Sequence, residues 1–326
     1  MNAVATKDQV RAMDPKEALA TIQGKTVILQ LSVGSIGSQS RVSNSDVNAE
    51  AEQDRLKMSK GIMKSPWLSL AGGCAQKTQG RLRELGLPSL LKSGLYQLPI
   101  AMIGEVDMYL TAQRTEWANF VEQFMQDYQN EDADGLKARD RAALQVRVMD
   151  ADVDLYRDND YPSASAVRSC FKWEHRYFTF ATPSSLSDIS AELYARELEK
   201  AEALAQKQMD EVNELLCQQM RSLIEHVHDR LLAEPGGKKK VIRDGLTERI
   251  NDFLAHFDAR NVFGNEELAG LAEQARAALK GADGEALRSA PILRANVAAA
   301  FEEIKSKLNG MIGDAPVRAI SLDDEA

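Results

Sequence analysis

The amino-acid sequence predicts a mainly α-helical fold: an elongated bundle around one long helix, with a small β-sheet of two or three short strands. The principal observation is a stretch from Leu186 to Ala233 that contains neither proline nor glycine. Apolar residues recur in it mostly at steps of three and four, which places them on one face of a helix. Residues 26–33 and 175–181 are rich in β-branched and aromatic residues, as strands are, and we expect them to pair.

Short helices surround the two predicted strands in the N-terminal part of the chain. Asp14 and Pro15 predict a helix start, because Asp caps the first turn and Pro suits its first position. A second helix is predicted over 65–85. Gly86 would end this helix, because glycine adopts the left-handed conformation without steric cost.

The middle of the chain mixes helical and irregular segments. Residues 87–103 contain two prolines and an apolar run, which predicts an irregular buried segment. Helical spacing predicts helices over about 105–130 and 136–149. An acidic loop is predicted over 150–161, and a short helix over 162–171 leads into the second strand.

The long helix needs cover for its apolar stripe. At ~1.5 Å per residue it would extend roughly 70 Å, more than the diameter of a small domain. Two alternatives stay open: the stripe is covered by C-terminal helices of the same chain, or it packs against other copies. The candidate contact residues on the stripe are Leu193, Leu198, Val212, Leu216 and Leu223.

Three further helices are predicted near 241–257, 265–280 and 283–310, after a break at Pro235-Gly236-Gly237. Their apolar faces suit packing against the long helix as a bundle. The acidic final residues, 313–326, are predicted to be disordered.

These elements predict three regions. Residues 1–184 form a mixed N-terminal domain, mostly helical with the small sheet. Residues 185–312 contain the long helix and the C-terminal bundle, and residues 313–326 form the tail.

Composition limits the classes of partner. The net charge of -9 makes general nucleic-acid binding unfavourable, so such binding would need a local basic patch. Candidate patches are Lys238, Lys239 and Lys240, and the region 168–176. No segment has the ~20 apolar residues of a membrane span, and no apolar signal core begins the chain. We therefore expect a cytoplasmic protein whose three separate cysteines are reduced and buried.

The motifs that suggest chemistry fail on detail. The glycine-rich loop 34–40 lacks the Gly-Lys-Ser/Thr end of a phosphate-binding loop. Two acidic stretches, 130–141 and 150–161, lack the bidentate Glu of a calcium loop. His226 and His228 are two residues apart, so a helix points them in different directions. We therefore expect no metal, no cofactor and no enzymatic activity.

Several short motifs occur together over most of residues 25–262. They are Lys57-Met58-Ser59-Lys60 with Ser65-Pro66, Gly86-Leu87-Pro88-Ser89 with Ser93-Gly94-Leu95-Tyr96-Gln97-Leu98-Pro99, Tyr161-Pro162, Phe171-Lys172-Trp173-Glu174-His175-Arg176-Tyr177, Lys240-Val241-Ile242-Arg243-Asp244, Phe253-Leu254 and Arg260-Asn261-Val262. With them the chain resembles a family of uncharacterised proteins from phages and integrative elements, often encoded beside a MoxR-type AAA+ ATPase and a von Willebrand-type protein. The resemblance implies a mobile-element protein that acts in an assembly. The resemblance implies no catalytic residues for this chain, because the family has none established.

Three functions follow as hypotheses. The first is a non-enzymatic helical assembly protein of a phage or mobile element, acting as a homo-oligomer. The second is an adaptor that binds an AAA+ ATPase or a host defence protein, since an acidic surface suits a basic partner. The third is a nucleic-acid-binding protein, which predicts binding that weakens steeply with salt.

Overall fold

A computed structural model describes residues 13–42, 57–87, 94–148, 151–179, 181–232 and 244–311 of the chain. Its helices are α1 (Pro15–Lys25), α2 (Pro66–Leu85), α3 (Ile103–Gln129), α4 (Leu136–Ala143), α5 (Ala164–Cys170), α6 (Ser185–Ile189), α7 (Ala191–Leu231), α8 (Glu248–Arg260), α9 (Glu266–Leu279), α10 (Gly284–Ser289) and α11 (Pro291–Met311). Its strands are β1 (Thr26–Gly34), β2 (Gln39–Val42), β3 (Met58–Gly61), β4 (Leu95–Pro99), β5 (Gln145–Val148), β6 (Ala151–Asp154) and β7 (Lys172–Phe178).

The predicted fold class is confirmed. The described chain is mainly helical, with one long helix and a small antiparallel sheet of strand order β4-β1-β7. The two strands predicted from the sequence do pair, and Leu31 of β1 lies opposite His175 of β7. Two further hairpins, β2–β3 and β5–β6, lie outside this sheet.

Two hydrophobic cores organise the molecule. The first joins the three-stranded sheet to α2 and α3, and its fully buried side chains include Leu29, Leu98, Leu110 and Phe124. The second surrounds α7 and contains side chains from α1, α8, α9, α10 and α11. Because α1 packs on α7, it contributes to the core that is built mainly from C-terminal helices. The proposed boundary between residues 184 and 185 stays a prediction.

The long helix begins later than its sequence predicts. Ser190 adopts an extended conformation (φ −160°, ψ 122°) and its hydroxyl accepts a hydrogen bond from the backbone N–H of Leu193. This serine separates the short helix α6 from α7, so one unbroken helix over 186–233 is wrong at its start. Serine is a strong N-cap, because its side chain satisfies a backbone donor that the first turn leaves free. The helix continues without a break for 41 residues, to Leu231.

Several other predicted elements are corrected. Part of the predicted irregular segment 87–103 is strand β4, which pairs with β1. The helix predicted over 136–149 ends at Ala143, and the β5–β6 hairpin replaces its end and the start of the acidic loop. Strand β7 begins at Lys172, three residues before the predicted start. The helix predicted over 283–310 is divided at Ala290, which is extended and precedes Pro291.

Gly86 ends α2 for a different reason from the predicted one. Its φ of −72° lies outside the left-handed region, so any residue tolerates its backbone conformation. A Cβ atom at this position would, however, lie 2.8 Å from the carbonyl oxygen of Leu82. Glycine is therefore required here by the close approach of the chain to the last turn of the helix.

A buried chain of hydrogen bonds joins the two cores. Gln208 of α7 donates to the side-chain oxygen of Gln97 on β4 at 2.5 Å, and Gln97 donates to the hydroxyl of Thr26 at 2.9 Å. Thr26 donates in turn to the carbonyl of Ile22 in α1 at 2.7 Å. All three polar side chains are buried, so each depends on its neighbour for hydrogen bonds that water would otherwise supply.

A nearly buried ion pair fixes the β2–β3 hairpin on the first core. The ammonium of Lys60 lies 2.6 Å from a carboxylate oxygen of Asp160, and these side chains are 6% and 18% exposed. Ser40 donates to the same carboxylate at 2.6 Å, and Lys60 also donates to the carbonyl of Leu155. Burial acts to raise the pKa of Asp160, but the hydrogen bonds from Lys60 and Ser40 outweigh it and hold the pKa below the usual value of an aspartate.

Replacing Gln97 by Leu tests the connection between the cores. The variant removes both hydrogen bonds of the Gln97 side chain, the one from Gln208 and the one to Thr26, so we expect it to lower the free energy of unfolding by about 1–3 kcal/mol. Urea denaturation followed by circular dichroism measures the change. The matched control is Gln30→Leu, at an exposed position on the neighbouring strand, and it should leave stability almost unchanged. Equal losses in both variants would contradict the role of the buried chain.

Replacing Asp160 by Asn tests the ion pair through its pH dependence. A carboxyl group whose pKa is lowered by folding stabilises the protein above its unfolded pKa, and this contribution disappears as the pH falls through the folded pKa. The variant should therefore be less stable than the parent near neutral pH, and the difference should narrow below about pH 4. Denaturation at a series of pH values measures this difference. A difference in stability that is independent of pH would argue against a stabilising role for the charge of Asp160.

Candidate interaction surface

The C-terminal half of the α7 stripe is covered by α11, which runs antiparallel to it. The thiol of Cys217 contacts the carbonyl of Leu308 at 3.8 Å. Further along α7, His228 lies 3.4 Å from the carboxylate of Glu302. The region from Val212 to Leu231 is thus the centre of the second core.

The predicted contact residues of the stripe fall into two groups. Val212 and Leu216 are each 1% exposed and lie inside the core of the same chain, so this structure leaves them no surface for a partner. Leu223 is partly buried against the same core. Leu193 and Leu198 lie at the start of α7 and are partly exposed. Lys238, Lys239 and Lys240 fall outside the described residues, as does the predicted acidic tail.

The start of α7 carries a second row of side chains, which we call the outer row: Leu193, Glu197, Lys200 and Leu204. Steps of four, three and four residues keep these positions within about 60° of one another around the helix axis. Leu204 is 38% exposed, and the side chains of Glu197 and Lys200 are 36% and 64% exposed. The Glu197 carboxylate accepts a hydrogen bond from Lys200 at 2.8 Å.

Sequence reasoning identified only Leu193 from this row. It followed the main apolar stripe, and Glu197 and Lys200 interrupt the pattern as polar residues. The spacing of residues 193, 197, 200 and 204 places them along one line on the helix surface, and this spacing is the sequence signal that identifies the row. Only the structure distinguishes this exposed line from the covered stripe beside it.

The junction between α2, α3 and α8 contains a group of charged side chains around a histidine. His256 lies 3.0 Å from Glu105 and 3.5 Å from the carboxylate of Asp252. Arg81 donates two hydrogen bonds to Asp252, at 2.7 and 2.9 Å. These contacts satisfy the carboxylates and hold the helices together, and the described residues include no group of three or more His, Cys, Asp or Glu arranged to bind a metal ion.

An open groove of about 670 Å³ lies between α2, α3 and α4. Trp67 and Lys64 line one part of it, and Asp127 and Arg139 line another. Arg139 donates to both carboxylate oxygens of Asp127, at 2.9 and 2.8 Å, and Ser65 donates to the same carboxylate. The strongest charges of the groove therefore neutralise each other.

The proposed basic patch near β7 is largely occupied by contacts within the chain. Arg168 donates to both carboxylate oxygens of Glu122. Trp173 is 6% exposed and packs against Trp117 with ring centroids 5.6 Å apart, so it is inaccessible for stacking on a base. Arg176 lies 3.5 Å from Glu174.

The three cysteines differ in exposure. Cys74 and Cys217 are buried, but Cys170 is exposed, so the expectation that all three are buried is wrong for Cys170. Cys170 is the last residue of α5, a short surface helix. Burial raises the pKa of Cys74 and raises that of Cys217 to about 11, so both thiols stay protonated near neutral pH.

No protein-family model, curated protein or solved structure matches this chain. The family resemblance therefore stays a prediction. None of the described helices is both long and apolar enough to cross a lipid bilayer.

Thiol labelling tests the assignment of the cysteines. In the native protein one thiol per chain, Cys170, should react rapidly with an aromatic disulfide reagent, because only this thiol is accessible. All three should react after denaturation in guanidinium. Cys170→Ser is the control and should remove the rapid phase. A second rapid thiol in the native protein would contradict the burial of Cys74 or Cys217.

Proposed function

We propose that this chain is a non-enzymatic assembly protein that associates with copies of itself through the outer row of α7. The observation that carries the proposal is the symmetry of the row. In an antiparallel pair of α7 helices, Leu193 of one copy lies beside Leu204 of the other. In the same register Glu197 lies beside Lys200, so apolar and charged positions both match.

Such a pair is an isologous contact, in which the same patch of both copies meets around a two-fold axis. The length of α7 favours it. The helix spans roughly 60 Å and α11 only about 30 Å, so α11 is too short to cover the start of α7 as well as its C-terminal half. Helix α1 packs on α7, and Leu198, which is partly buried against the second core, lies roughly 100° or more around the helix axis from the outer row.

The energy of this contact is modest. Fully burying a leucine contributes about 1.5–3 kcal/mol, and the leucines of the outer row are already partly buried. An exposed ion pair adds about 0.2–1 kcal/mol, against an association cost of about 4–15 kcal/mol. We therefore expect weak, concentration-dependent pairing of two copies.

The resemblance to proteins of phages and integrative elements supports a role in the assembly of a mobile element, in the cytoplasm of the bacterial host. The competing outcome is that the outer row binds a different protein, either an AAA+ motor or a host protein. In that case the purified protein would stay monomeric.

Charge reversal tests the outer row. Glu197→Lys and Lys200→Glu each place like charges together across the two-fold axis, so each should weaken self-association by about tenfold. The double variant restores opposite charges and should recover the affinity of the parent. Sedimentation equilibrium at high micromolar concentration measures the dissociation constants.

Leu204→Glu should also weaken the pair, because it places a charge against Leu193 of the other copy. Ala195→Glu is the matched control, since Ala195 is exposed on the opposite side of the same helix, about two and a half turns before Leu204. A strictly monomeric parent protein, or equal effects of these two substitutions, would contradict the proposal.

A further inference from the structure

The three-stranded sheet ends at β7, and no other described strand pairs with its outer edge. β7 is seven residues long and contains no proline. Exposed edges of this length present a row of backbone donors and acceptors, which proteins usually shorten, cover or interrupt. We infer that this edge is a second self-association surface, where β7 pairs antiparallel with β7 of another copy around His175. This inference rests on the proposed assembly function but uses a different surface.

The hydrogen-bond pattern of β1 determines which groups of β7 face outward. The N–H of Leu31 donates to the carbonyl of Gly94, so the backbone groups of Leu31 point towards β4. Strand residues alternate in direction, so Gln30 and Ser32 bond to β7. Their partners in β7 are Arg176 and Glu174, which therefore face β1.

The remaining residues of β7 face away from the sheet. Trp173, His175 and Tyr177 alternate with the bonded residues, so their N–H and C=O groups point to the outer edge. His175 is the midpoint of β7. A second copy centred on His175 overlaps all seven residues, pairs His175 with itself and pairs Trp173 with Tyr177 of the other strand.

The side chains match in the same register. Glu174 lies opposite Arg176 of the other copy, twice around the two-fold axis, at positions where the strands bring side chains closest. The side chains of Glu174 and Arg176 are 58% and 71% exposed, so they are accessible to a partner. Lys172 lies opposite Phe178, which is 44% exposed and offers an aromatic face to the ammonium.

Charges on an edge strand normally discourage pairing with an unrelated strand. Here the charges become complementary only in the register centred on His175. A register centred on Glu174 or on Arg176 would place like charges together at its centre. The same residues therefore oppose wrong partners and favour a second copy of this chain.

Charge reversal on β7 tests the edge separately from the outer row. In a Leu204→Glu background, which weakens the helix contact, we expect a residual dimer held by β7. Adding Arg176→Glu or Glu174→Arg should weaken that dimer about tenfold or more, and combining both reversals should restore it.

The outcomes separate the two surfaces. If Leu204→Glu alone yields a monomer, the edge inference fails and the helix proposal stands. If Leu204→Glu has no effect and Arg176→Glu yields a monomer, the helix proposal fails and the edge stands. A monomeric parent protein overturns both, and a residual dimer insensitive to the β7 charges overturns the edge.

Disulfide trapping tests the register directly. In a Cys170→Ser background, His175→Cys places two thiols across the two-fold axis, where Cα atoms about 5.5 Å apart are within the range of a disulfide. Mild oxidation should trap a covalent dimer. Ser32→Cys is the control: it lies on β1, three strand spacings of about 4.8 Å from its copy, and should not cross-link. Equal cross-linking of the two variants would overturn the register.

Discussion

The structure depends on the apolar stripe of α7, which must be covered along a helix of 41 residues. Within the chain, α11 covers the C-terminal half and α1 covers part of the remainder. Since α11 has only 21 residues, the bundle becomes thinner towards the start of α7. The mismatch in length therefore leaves the start of α7 to be covered by elements other than α11.

The sequence predicted the elements whose signals are local. The helical spacing of α7 and α3, the proline that opens α2 and the pairing of β1 with β7 were all recognisable. Strand β4 and the β5–β6 hairpin were missed, because a strand is stabilised by its partners and not by its own residues alone. The cap at Ser190 was missed because one serine within a charged, helix-prone stretch is a weak signal.

Identifying the candidate surfaces required knowledge of the topology even more than identifying the helices and strands did. Val212 and Leu216 fit the same apolar pattern as Leu193, yet the fold buries the first two and leaves the third partly exposed. Periodicity indicates that a face needs cover but not what covers it. The edge character of β7 likewise follows from strand order, which no local pattern specifies. The opposite charges of Glu174 and Arg176 indicate a pairing surface only once β7 is known to be an edge strand.

Helix α1 ends at Lys25 and strand β1 begins at Thr26, with no intervening residue. The helix belongs to the second core and the strand to the first, and Thr26 carries a hydrogen bond on each side of this joint. No loop residue at this point can therefore absorb a rotation of the helical bundle relative to the sheet. Any reorientation of α1 on α7 must therefore also move β1, the middle strand of the sheet.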